Sequence, residues 1–233
     1  MTYAIISDIH ANLEALQKTL EIIDKSAVDE IICLGDVVGY GANPNECVDL
    51  VRKNCAATVL GNHDAAAINL SVADDFHASA KKAIIWTANQ LTGVNKEFLS
   101  SLPLVVKKNE ILFVHASAKS PELWDYIIDP IDVKVALGLI QEKICFFGHT
   151  HLPGIFSRHG KEKSVSSDEQ YIVNVGSVGQ PRDRNPMLAF GIFNSSSWSY
   201  ELIRSEYPHQ QAAEKIYRAG LPEELGFRLM YGM

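Results

Sequence analysis

Four times along this sequence a short apolar run breaks off into a Gly, Asp, Asn or His. Ala4-Ile5-Ile6 leads to Asp8-Ile9-His10, Ile31-Ile32-Cys33-Leu34 to Gly35-Asp36, Ala57-Thr58-Val59-Leu60 to Gly61-Asn62-His63-Asp64, and Ile111-Leu112-Phe113-Val114 to His115. Short β-branched and apolar runs of this kind read as buried strands. A fifth polar motif, Gly148-His149-Thr150-His151, follows. Polar residues that drop off successive parallel strands converge in the crevice at the carboxyl ends of an open α/β sheet. A length of 233 residues suits one large domain or two small ones. The span of the motifs decides for a single domain, 1–233, because one fold must gather Asp8 through His151 around one site.

The segments between the runs carry helix signals. Asn12 is an N-cap candidate ahead of Leu13, Leu16, Leu20 and Ile23, which share one helical face. A turn-rich stretch from Gly39 to Asn45 precedes a helix over 46–53. After Asp64 the pattern predicts an Ala-rich turn, a helix over 75–91 and a shorter one over 95–100, stopped by Pro103. Together these form a small helical cap, roughly 65–102, beside the site. A turn at 107–110 separates the strands of a hairpin that ends at His115, and a helix over 131–141 follows a loop with Pro121, Trp124 and Tyr126. Beyond His151, strands over 155–158, 171–175, 188–193 and 198–203 predict a second sheet packed on the first, before a helix over 210–218 and a short tail. The stretch from Pro181 to Pro186, with Ile216, Tyr217 and Leu221, predicts an exposed apolar patch and a homodimer.

Composition narrows the function classes. Apolar residues make up 47% of the chain, ordinary for a soluble protein with a sizeable core. The sequence enters a strand at once, without a basic leader or a long apolar span, so the expectation is a cytoplasmic protein with no membrane partner. A formal charge of −7 opposes an extended nucleic-acid footprint, which needs Lys and Arg. A small phosphorylated substrate drawn by bound cations remains compatible. Cys33, Cys47, Cys55 and Cys145 show no C-x-x-C spacing, and Cys33 and Cys145 sit in strand runs as small hydrophobes.

Isolated histidines are usually surface or core residues, and Gly-Asp and Gly-Asn pairs form turns anywhere. Here, however, five of the eight histidines fall in the motifs, and only His77, His159 and His209 lie outside as expected surface residues. Asp8 and His10, two apart, aim at one ion. Asp36 adds a second carboxylate, and a carboxylate can bridge two cations where an imidazole cannot. With the Asn62 amide oxygen and the imidazoles of His115, His149 and His151, the donors suffice for two ions with open positions. Mixed N/O donors of this kind suit Mn, Fe, Zn or Ni.

The order D-x-H, G-D, G-N-H-D, H, G-H-x-H, running from Asp8 to His151, resembles the calcineurin-like metallophosphoesterase superfamily. Asp8-Ile9-His10-Ala11-Asn12-Leu13 and Gly176-Ser177-Val178-Gly179-Gln180-Pro181-Arg182-Asp183 further resemble its bacterial and archaeal predicted-phosphodiesterase branch, which includes diadenosine tetraphosphatase-like members. The resemblance implies an α/β fold: a four-layer αββα sandwich of two mixed sheets flanked by helices, with two divalent or mixed-valence transition-metal ions at one end. It implies Asp8, His10 and His151 on one ion, Asn62, His115 and His149 on the other, and Asp36 between them. His63 is then the catalytic residue, free of metal and facing the substrate. The implied reaction is in-line attack of a metal-bridging hydroxide on a phosphodiester or a nucleotide phosphoanhydride.

The departures matter as much. The phosphoprotein-phosphatase branch carries G-D-x-x-D-R-G, whereas this chain has Gly39 and Tyr40 where the acid and the Arg would stand. A phosphomonoesterase or protein phosphatase is thereby the weaker alternative. A non-catalytic scaffold like the related retromer subunit is weaker still, since its site residues are eroded and these are all present. Ala116 replaces the Gly that many members carry after the lone histidine. Asp64 is either the partner of His63 or a helix N-cap. Tyr40, Trp124 and Tyr126 either stack on a nucleobase or pack. Arg182 either contacts phosphate or pairs with Asp183 or Glu169 at the surface.

Overall fold

The computed structural model describes all 233 residues. In chain order the elements are β1 (Thr2–Ile6), α1 (Leu13–Asp24), β2 (Glu30–Cys33), α2 (Pro44–Asn54), β3 (Ala57–Thr58), α3 (Asn62–Ile68), a 3-10 turn (Leu70–Ala73), α4 (Ala78–Gln90), α5 (Gly93–Ser100), β4 (Val105–Lys108), β5 (Ile111–Val114), a second 3-10 turn (Pro121–Leu123) and α6 (Pro130–Leu139). Then come β6 (Ile144–Phe147), β7 (Gly154–Ser157), β8 (Gly160–Glu162), β9 (Tyr171–Asn174), β10 (Leu188–Asn194), β11 (Ser199–Ser205), α7 (His209–Arg218) and α8 (Glu223–Tyr231). No helix is long and apolar enough to cross a membrane.

Successive strand side chains face opposite sides, and both sides are used here. Tyr3 and Ile5 of β1, Ile32 of β2 and Phe193 of β10 pack with Phe113 of β5, Phe146 of β6 and Val173 of β9 in a core between two sheets. Their neighbours Ala4, Ile6 and Cys33 turn outward under α1, α2 and α7. Leu112, Val114, Cys145 and Phe147 turn the other way, under Val133, Ala136 and Leu137 of α6. Strands covered on both faces are the pattern of parallel α/β sheets. The result is the expected four-layer αββα sandwich of two mixed sheets, ordered β11-β10-β1-β2-β3 and β4-β5-β6-β9-β7-β8. Within them β1, β2 and β3 run parallel, as do β5, β6 and β9.

Four features differ from the sequence expectation. The strands beyond His151 do not form a sheet of their own: β7, β8 and β9 join one begun by β4, while β10 returns to pair antiparallel with β1. With β2 on its other side, that pairing covers an edge of β1, whose residues are buried on both faces. The helical segment starts sooner than expected, at Asn62, because Gly61 is the N-cap and Asp64, at the third helical position, accepts the Gly61 N–H at 3.3 Å. The tail contains a helix, α8, with Glu223 and Glu224 in its first turn and Leu225 and Leu229 buried. Folded against α7, it closes over part of the expected apolar patch. Ile216 and Leu221 are 2% and 5% exposed, and only Tyr217 remains at the surface, so the homodimer expectation loses that support.

All four cysteines are free, and Cys33, Cys47 and Cys145 are buried. Burial pushes the half-buried Cys55 thiol up to about 12. Phe146 lies between the sheets, its ring centroid 5.8 Å from Phe113 and 5.2 Å from Phe193. Phe146→Ala should cost about 3–5 kcal/mol of stability in urea unfolding, whereas a cost near zero would mean that the sheets do not meet there.

Candidate metal centre

Each of the five motifs begins where a parallel strand ends. The loops after β1 and β2 are zipped together beyond the strands, with Asp8 N–H donating to Gly35 O (3.1 Å), His10 N–H to Asp36 O (2.9 Å) and Ala11 N–H to Val37 O (2.9 Å). These loops and the fifth motif put Asp8, His10, Asp36, Tyr40, His149 and His151 at φ between 51° and 62°. Non-glycine residues rarely adopt the left-handed region, and such strain persists where the surroundings over-determine it, often at functional sites. Asn174 of β9 holds the fifth motif, its amide donating to Gly148 O at 2.6 Å and Thr150 Oγ1 at 2.9 Å.

The side chains thus delivered are nearly all acceptors. His10 Nδ1 donates to Val38 O, His115 Nδ1 to Leu34 O and His151 Nδ1 to Gln180 O. A carbonyl only accepts, so the proton sits on Nδ1 and a lone pair on Nε2 in each neutral ring. His10 Nε2 then faces His151 Nε2 at 3.2 Å, and His151 Nε2 faces Asp8 Oδ1 at 3.3 Å. His115 Nε2 faces Asn62 Oδ1 at 3.1 Å, His149 Nδ1 at 3.2 Å and Asp36 Oδ2 at 3.3 Å. Asp36 Oδ2 is also 3.7 Å from His10 Nε2, which places this carboxylate between the two groups. Its other oxygen accepts the His63 N–H at 2.8 Å, at the start of α3. His149 Nε2 is buried with no hydrogen-bond partner.

Buried lone pairs at contact distance repel one another unless positive charge lies among them. Protons can supply part of that charge. Burial works to lower His115, but the carboxylates of Asp36 and Asp8 outweigh it and push His115 up to about 9. Burial and Asp36 push Asp8 up to about 7, while burial holds His10 and His151 well below the ordinary imidazole range. Three groups of donor atoms, each within 4.8 Å of one another, could hold a cation: Asp8 with His10 and His151, Asp36 with His115 and His149, and His10 with Asp36 and His63.

Residues 1–197 match the calcineurin-like phosphoesterase superfamily domain. The chain belongs to this superfamily. Among similar proteins, an uncharacterised protein of Methanocaldococcus jannaschii is 40% identical over 240 residues, covering 98% of this chain and 97% of its own. A metallophosphoesterase crystal structure from Sphaerobacter thermophilus is 36% identical with a TM-score of 0.90, covering 100% of this chain and 99% of that one. A symmetrical bis(5'-nucleosyl)-tetraphosphatase from Actinobacillus pleuropneumoniae is 40% identical over 67 residues, 28% of this chain and 25% of its own.

In this phosphoesterase His63 is positioned by packing. Its ring centroid lies 4.4 Å from Tyr40, 4.8 Å from Phe76 and 4.9 Å from His10. Its Nδ1 is buried without a partner, and a Cβ at residue 39 would run into it. Gly39, at φ +93°, therefore leaves no side chain there to orient the imidazole. Asp64 does not take that role: its carboxylate accepts the backbone N–H of Val38 at 3.0 Å and of Gly61. Ala116 has an ordinary φ and needs no glycine. Tyr40 is buried and packs between histidines, Trp124 is half-buried with its indole N–H 3.4 Å from Leu60 O, and Tyr126 stacks on His149 at 4.1 Å with half its surface exposed. Arg182 forms neither surface pair, since Asp183 goes to Arg204 and Glu169 to His159. A cleft of about 550 Å³ opens from His63 and His149, with Phe76, Leu123, Trp124 and Tyr126 on its walls.

The left-handed loops and the three carbonyls that set the imidazole tautomers have no signature in residue type alone. Gly61 does, in hindsight, because a Cβ there would fall on the Asp36 carboxylate. Gly61→Ala should cost about 1–3 kcal/mol in urea unfolding. Gly93→Ala, where nothing lies within 4 Å of the new methyl, should be neutral or stabilising by up to about 1 kcal/mol. Equal effects would contradict the tight approach of the two loops.

Proposed function

We propose that this chain is a metal-dependent hydrolase of phosphodiesters or nucleotide phosphoanhydrides, with Asp8, His10 and His151 holding one divalent transition-metal ion, Asn62, His115 and His149 a second, and Asp36 shared between them. The observation that carries this reading is the pair of acceptor clusters on either side of the Asp36 carboxylate, 3.7 Å from His10 and 3.3 Å from His115. Divalent ions held there would acidify a water from pKa 15.7 to about 7 and neutralise charge on the phosphoryl oxygens.

The residues around the ions have separate tasks. The backbone carbonyls of Val38, Leu34 and Gln180 keep the lone pairs of His10, His115 and His151 turned inward. Asp36 anchors α3 through the His63 N–H, so the donor cluster and His63 move as one unit. His63 opens onto the cleft rather than into a hydrogen-bond network. Burial pushes it down to about 4, so it meets the substrate neutral. The negative charge of a phosphoester raises its proton affinity. The imidazole can then take a proton from solvent water in the cleft and pass it to the leaving oxygen, which returns it to its neutral form.

Two features favour diesters and anhydrides over phosphoproteins. The open aromatic cleft suits a planar group attached to the phosphate. The similarity to a bis(5'-nucleosyl)-tetraphosphatase, though it spans only 28% of this chain, supports a nucleotide as that group.

His63→Ala should retain its metal by elemental analysis and lose roughly 10²–10⁴-fold in rate on an ester with a poor leaving group. Full activity of that variant would remove His63 from the chemistry. With the Mn-loaded protein, bis-p-nitrophenyl phosphate and diadenosine tetraphosphate should be hydrolysed in preference to p-nitrophenyl phosphate and a phosphopeptide. Preference for the phosphopeptide would overturn the substrate class.

A further inference from the structure

Arg182 has a half-buried guanidinium with no carboxylate beside it. Its side-chain hydrogen bonds go to Gln180 Oε1, at 3.3 Å from Nε and 2.9 Å from Nη2, and to the Tyr40 hydroxyl at 3.3 Å. The Tyr126 hydroxyl also lies within hydrogen-bonding reach of the guanidinium. The acids that could neutralise it are committed elsewhere, Asp183 to Arg204 and Glu169 to His159. The guanidinium carbon lies 5.8 Å from the Tyr40 ring centroid, and the same ring lies 4.6 Å from His10 and 4.4 Å from His63. The charge therefore stands one aromatic ring away from the donor cluster.

Its seat is rigid. Gln180 O accepts from His151 Nδ1, Gln180 N–H donates to Ser177 Oγ at 2.8 Å, and Ser177 Oγ donates to Asp8 O at 2.8 Å. The segment that carries Arg182 is thus tied to the same residues that line the metal centre. A second cation stands nearby: Arg228 of α8 is held below the ordinary guanidinium range by burial and by Arg182, and its Nε is taken by Met233 O at 2.8 Å. Like charges held together in partly buried surroundings repel unless an anion joins them. Guanidinium presents a planar fork that matches two phosphate oxygens at once.

We propose that Arg182, seated on Tyr40 and steered by Gln180, is an anion subsite that binds non-reacting oxygens of the substrate's phosphate groups. The subsite rests on the hydrolase reading for its substrate, but its geometry is independent of which ester is cleaved. It places phosphate charge at the rim of the cleft, where the guanidinium meets Tyr40 and Tyr126, and leaves the Phe76 and Trp124 walls for an uncharged planar group.

The test uses the Mn-loaded protein and inorganic phosphate as the probe. Arg182→Gln should weaken phosphate binding measured by calorimetry roughly 10- to 100-fold. The KM for bis-p-nitrophenyl phosphate should rise in the same direction, with bound Mn unchanged and kcat affected less. Arg182→Lys, which keeps the charge and loses the fork, should fall between Gln and wild type. A measurement free of any variant is phenylglyoxal modification of the wild type, in which phosphate should protect Arg182. Unchanged phosphate affinity in Arg182→Gln, or modification at the same rate with and without phosphate, overturns the subsite. If the wild type hydrolyses no ester but phosphate still protects Arg182, the hydrolase reading fails and the subsite stands. If Arg182→Gln hydrolyses esters with unaltered KM, the reverse holds.

Discussion

Seven buried acceptor side chains point into one volume, and no lysine or arginine pairs with its two carboxylates. Two are carboxylates, four are imidazoles and one is an amide oxygen; three of the imidazoles have their remaining ring nitrogen fixed by a backbone carbonyl. A cluster of lone pairs this dense is unfavourable as a bare packing arrangement. It becomes favourable around cations, and the fold spends backbone strain to build it: six residues at the centre sit in the left-handed region. The zipped loops after β1 and β2, the glycine at 61 and the Asn174 clasp on the fifth motif all hold that arrangement.

Sheet topology explains why one end of the sandwich can do this. Parallel β1, β2 and β3 in one sheet and β5, β6 and β9 in the other release their loops toward the same edge, so residues from Asp8 to Gln180 meet. Helices cover the outer faces and leave that edge open. Arg182 and the aromatic cleft border it together and meet at Tyr40 and Tyr126. His63 lies beside Tyr40, held by rings instead of an acid, which follows directly from the glycine at 39.

Much of this was legible in the sequence because it rests on local rules. Apolar runs ending in Asp8, Asp36, Asn62, His115 and His149 announce strand ends, and strand ends in an α/β sheet announce a crevice. Asn12 as an N-cap is likewise local, and its side chain does accept the Ala15 N–H at 3.1 Å. What was not legible depends on partners distant in the chain. The return of β10 to β1 is a long-range pairing that alternation alone cannot specify. The helix α8 is only nine residues long with Gly226 inside it, and the buried state of Ile216 and Leu221 depends on its fold-back. Asp64 lies next to His63 in sequence yet serves the backbone of Val38, a partner 26 positions away. Arg182 stands over Tyr40 from 142 positions away.

The most direct test of the account is the anomalous signal from crystals of the wild type grown or soaked with Mn. Two peaks about 3.5–4 Å apart are expected, one between Asp8, His10 and His151 and the other between Asn62, His115 and His149, with the Asp36 carboxylate touching both. A single peak away from Asp36, or none at saturating Mn, would contradict it.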